Sequence, residues 1–157
     1  METLDFKYKA SETYSLIDAE TARHAAFLRY QDGGSAYDDL KLHTNDRPTI
    51  EGYVADAFRS IVTRFDGESK YTTGEDIPEG GGDKCEMHGL TFYLPDFDDS
   101  LYENARDEIS RYVVTSATAR WLMNRSFGEY AKMVAEDANA SLVRLITMLR
   151  TRKFPLD

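Results

Sequence analysis

The chain has a single cysteine, Cys85, among 157 residues. That excludes an intramolecular disulfide framework and fits a reducing compartment. It has no apolar run of 18 residues and no secretion-type leader, so the expectation is a soluble, intracellularly made protein without membrane contact. Basic residues are also scarce: 19 Lys and Arg stand against 28 Asp and Glu, giving a formal net charge of −9. A surface of that sign repels a phosphate backbone unless its few cations cluster, so no specific nucleic-acid partner is expected. No internal repeat or tandem domain is visible. What remains is ordinary globular material, 41% hydrophobic, 30% charged and 12% aromatic. A chain this long buries roughly 70% of its unfolded surface around one core. The reading is one domain over residues 1–157.

Periodicity assigns the elements. Leu4, Phe6 and Tyr8 alternate with Asp5, Lys7 and Lys9, the period-two pattern of a half-buried strand. Ser11 offers an N-cap to a helix carrying Tyr14, Ile17, Thr21, Ala25 and Leu28 and ending near Tyr30. Residues 31–49 connect, with a short helical turn at 36–42. A second helix follows from Ile50, its stripe made by Tyr53, Val54, Ala57, Phe58, Ile61, Val62 and Phe65. The segment 66–86 holds five glycines and seven acids against two lysines and reads as a flexible acidic loop. Leu90, Phe92 and Leu94 then mark a strand over 88–94 able to pair with 4–9. Two S-x-x-E capping boxes, Ser100 with Glu103 and Ser126 with Glu129, open the last two helices. The first of these passes Ile109, Tyr112, Val113, Ser116, Ala117 and Trp121. The second carries Ala131, Val134, Ala135, Ala138, Leu142, Leu145, Ile146 and Leu149. The expected fold is α+β and predominantly α-helical, a bundle of about four helices with a short antiparallel two-stranded sheet at one end.

Three groups of residues invite a chemical reading. Asp96, Asp98 and Asp99 follow a strand and could hold Mg²⁺ for a metal-dependent hydrolase, but acids before a helix are already explained by its dipole. Cys85 and His88 form C-x-x-H, half a zinc site whose other half is missing, and nothing nearby would activate Cys85 as a nucleophile. The glycines at 80–82 lack the Lys-Ser/Thr and following helix of a phosphate loop. Neither catalysis nor a cofactor nor a metal is expected. Trp121 reads as a core residue whose indole N–H needs an acceptor.

The chain closes on a basic helix end, Arg144, Arg150, Arg152 and Lys153, followed by Phe154 and Pro155. Helix-dipole compensation accounts for the cations but not for the apolar pair. Arg150, Arg152, Lys153, Phe154 and Pro155 are therefore the candidate protein interface.

The second half, "LPDFDDSLYENARDEISRYVVTSATARWLM" followed by "FGEYAKMVAEDANASLVRLITMLRTRKFP", resembles small virion proteins of phages and prophages of gut Bacteroides-type bacteria. In them a Tyr-Val helix reaches a Trp and a final helix ends in Arg-Lys-x-Pro. In general plan it is also similar to phage head-tail connector (neck) proteins. The resemblance spans about residues 87–155 and rests on Trp121, Tyr130, Ala131, Ala138, Leu149, Arg152, Lys153 and Pro155. The acidic segment 66–86 departs from the compact connector plan. The resemblance implies a non-enzymatic virion subunit that forms a homo-oligomeric ring and meets portal or tail components, made in the bacterial cytoplasm and then carried in the virion. A non-viral helical protein-interaction module is the alternative, and the Asp96/Asp98/Asp99 hydrolase a more distant one.

Overall fold

The computed structural model describes residues 3–153. In chain order it runs β1 (Leu4–Lys9), α1 (Ala10–Ala25), α2 (Tyr37–Leu40), α3 (Arg47–Thr63), β2 (Ser69–Asp76), β3 (Cys85–Phe92), α4 (Tyr102–Asn124) and α5 (Gly128–Arg150). The fold is α+β and mostly helical, as the periodicity indicates. Among the described residues the sheet has three antiparallel strands rather than two, ordered β1-β3-β2, and α2 brings the helices to five.

β1 and β3 pair as anticipated, from Leu4 opposite Phe92 to Lys9 opposite Met87. The correction concerns 66–86. Ser69–Asp76 is a strand, paired with β3 from Ser69 opposite Phe92 to Asp76 opposite Cys85, so only the turn 66–68 and the connection 77–84 remain outside regular structure. The reason lies in one side chain. Tyr71 stacks on Phe58 of α3 at 5.1 Å and its hydroxyl meets His88 Nδ1 at 2.7 Å. Tertiary packing thus holds a segment whose composition signals a loop, as strand preference commonly depends on context.

Helix limits also shift. α1 stops at Ala25, and the chain then doubles back in a turn where the Gly33 N–H donates to the Tyr30 carbonyl, with Gly33 at φ 87°. α3 starts at Arg47 with Pro48 in its first turn, where a missing N–H costs nothing. Neither S-x-x-E box caps its helix. Asp98 accepts from the Ser100 amide at 3.1 Å and opens a single 3₁₀ turn before α4. Ser126 sits at φ 72° in the α4–α5 turn, closed by the Phe127 N–H on the Leu122 carbonyl.

The helical hairpin α4–α5 is the spine. Its facing stripes bury Ala105, Ile109, Tyr112, Val113, Ala117 and Trp121 against Ala138, Leu142, Leu145 and Leu149. Small residues near the turn, Ala119, Ala131 and Val134, bring the backbones together over Ala25, Ala36 and Leu40. At the other end the inner sheet face adds Phe6 and Phe92, which meet edge to face at 5.9 Å, with Phe65 edge-on to Phe92 at 5.3 Å. Trp121 is 1% exposed and its indole N–H donates to the Leu40 carbonyl at 2.8 Å, tying α4 to α2.

Candidate interaction site

The C-terminal segment leaves α5 at Arg150 and is pinned rather than free. Thr151 Oγ1 donates to the Thr147 carbonyl at 2.7 Å, ending the helix. Beyond it the chain runs antiparallel to the stretch before α4. Arg152 bridges Phe97, the Lys153 N–H donates to the Asp96 carbonyl at 2.8 Å, and the Asp98 N–H reaches the Thr151 carbonyl at 3.4 Å. Phe97 is buried beneath this clasp, and Asp96 turns the chain at φ 63°, a left-handed geometry that Asp tolerates better than most residues.

The five candidate interface residues therefore divide. Arg150 is engaged within the chain, donating to both Glu68 oxygens at 3.1 and 3.2 Å with its guanidinium 4.5 Å from the Phe65 ring centre. Arg144, from the same basic end, meets the buried Glu108 at 2.5 Å across the α4–α5 seam. Arg152 and Lys153 are exposed beside the Asp96–Asp99 acids. Phe154 and Pro155 lie outside the described residues.

Of the three acids that could have made a metal site, one has a structural partner. Asp98 is a cap, and among the described residues no group of three or more His, Cys, Asp or Glu side chains is placed to hold an ion. His88 is a core residue, stacked on Phe58 at 5.0 Å and bonded to Tyr71, and burial lowers its pKa from the ordinary value. The same burial raises the Tyr71 hydroxyl to about 12.

A second arrangement escaped the sequence. His24 on α1 has Nδ1 2.7 Å from the Tyr130 hydroxyl and Nε2 3.1 Å from Glu20, which also binds Arg23. Glu20, Arg23 and His24 line one wall of an open groove of about 770 Å³ between α1, α4 and α5. The helical spacing of Glu20 and His24 was readable, but Tyr130, 106 residues from His24, was not. The cluster is poorly suited to proton transfer. Nε2–H donates to the carboxylate and Nδ1 accepts from the phenol, leaving no ring nitrogen free for a substrate proton. Burial lowers the His24 pKa despite the opposing pull of Glu20. It reads as a pin between α1 and α5.

The geometry thus defines a mostly helical α+β protein with a clasped basic C-terminal segment. No protein-family model, curated protein or solved structure matches the chain.

Proposed function

We propose that this chain is a phage or prophage virion structural protein, a head-tail connector (neck) subunit that assembles by protein-protein contacts into a ring and meets portal or tail components. The observation that carries the reading is the clasp. The Arg152–Phe97 bridge and the Lys153–Asp96 hydrogen bond fix the last described residues in place, with the Arg152 and Lys153 side chains exposed there. Preorganising a binding segment reduces the ordering entropy lost on association, so a fixed segment at 151–153 favours docking through it. Exposed cations there steer an acidic surface into place. The net charge of −9 suits a lumen through which DNA slides without adhering.

Quantitative mass spectrometry of purified particles from a host carrying the gene tests this. The reading expects the chain at a fixed multiple per particle. Its absence from particles whose other structural proteins are complete would refute the virion role.

A further inference from the structure

The two edges of the sheet differ. At β1, the Tyr102 hydroxyl on α4 donates to the Asp5 carbonyl at 2.7 Å, so a helix side chain takes up a group of that edge. At β2, Thr72 through Asp76 are all exposed, and among the described residues no backbone group outside β3 pairs with Lys70 through Asp76. A long bare edge is a template for another strand.

We propose that β2 pairs antiparallel with β2 of a second copy of this chain, across a two-fold axis at Thr73. The registers open to it are few. In an antiparallel pair, opposed residues both point their N–H and C=O groups at each other or both away, and along one strand that direction alternates. Self-pairing therefore matches odd with odd and even with even positions. Centring on Thr73 sets Lys70 opposite Asp76, Tyr71 opposite Glu75 and Thr72 opposite Gly74. Centring on residue 72 or 74 sets no opposite charges face to face.

The Thr73 register satisfies both faces of the strand. Lys70 and Asp76 share one face, so the two-fold axis makes the Lys–Asp pair twice, each Asp76 carboxylate then lying between Lys70 of the other copy and Lys7 of its own β1, which already meets it at 2.8 Å. On the other face Tyr71 carries the Arg59 guanidinium 5.8 Å from its ring centre, which brings that cation toward the partner's acidic strand end. The strand is basic where it begins and acidic where it ends, and antiparallel pairing joins unlike ends. The contact is isologous and closes on itself. It concerns the free chain and stands or falls separately from the virion role.

The contrary reading is that these charges guard the edge against pairing, as lysines on edge strands do. Sedimentation equilibrium of the full chain separates the two. The expected result is a concentration-dependent dimer. Lys70→Glu and Asp76→Lys should each weaken self-association by about tenfold, because each replaces two attractive cross-strand pairs by repulsive ones. Mixing the two variants should restore a heterodimer, since the introduced glutamate of one chain then faces the introduced lysine of the other, while the native Asp76 and Lys70 still face each other. Circular dichroism checks that both variants are folded. A Thr73→Cys, Cys85→Ser chain should also cross-link to itself through a short bifunctional maleimide, whereas a Glu103→Cys, Cys85→Ser chain should not. A monomer up to about 1 mM overturns the proposal. So does a dimer indifferent to the charge swaps.

Discussion

Single side chains carry several of the fold's decisions, and they can be tested singly. Replacing Trp121 by Phe keeps most of the ring packing but leaves the Leu40 carbonyl without its donor. A buried acceptor stripped of its partner costs about 1–3 kcal/mol, so denaturant unfolding should report a loss of that order; an unchanged midpoint would remove Trp121 as the tie between α4 and α2. Thr21 makes the opposite case. Its hydroxyl is fully buried in α1 with no partner, and Thr21→Val, which keeps the shape, should be stabilising by about 1 kcal/mol. A destabilised variant would mean that the hydroxyl is satisfied after all. His24 and His88 titrate against the fold. Burial lowers both below the ordinary 6.5, so as pH falls the unfolded chain binds protons first. Their contribution is complete above about 6.5 and declines as pH drops toward the folded values. An NMR titration should find both rings protonating below free histidine, and either one protonating above it contradicts the packing described.

Elements were legible where packing follows a period. The stripes of α3, α4 and α5 were visible because apolar residues recur at helical spacing, and β1 with β3 because theirs recur at two. β2 was invisible because Tyr71 is the one apolar residue on its inner face, amid glycines and acids that signal a loop. The capping boxes misled because Asp98 took the first cap through a 3₁₀ turn and Ser126 sits at φ 72° in the α4–α5 turn, choices decided by local geometry rather than residue type. The basic helix end was readable as charge, but the pairing of Arg150 with Glu68 and of Arg144 with Glu108 joins positions far apart in sequence. The hairpin gives an element-scale prediction. Limited proteolysis should cut the exposed connection 77–84 and spare 69–76, whose backbone is paired to β3. First cuts within 69–76 would return that stretch to loop status.

At the scale of the molecule, a spine of two long helices closes over a small sheet, and the last described residues return to clasp the stretch before α4. That return joins the fold to the proposed role, because the position of residues 151–153 is set by backbone bonds to Asp96 and Asp98 rather than by chance. The central claim is that the exposed cations Arg152 and Lys153 dock the subunit in a particle. Its most direct measurement is the occupancy, in purified particles, of a chain carrying Arg152→Glu and Lys153→Glu. Those two exposed side chains can change while the backbone bonds of Lys153 and Thr151 stay in place. The account predicts a folded variant with an unchanged unfolding midpoint that enters particles far below wild-type occupancy. A variant that folds and enters at normal occupancy would contradict it, and the basic end would then be only the terminus of a helix.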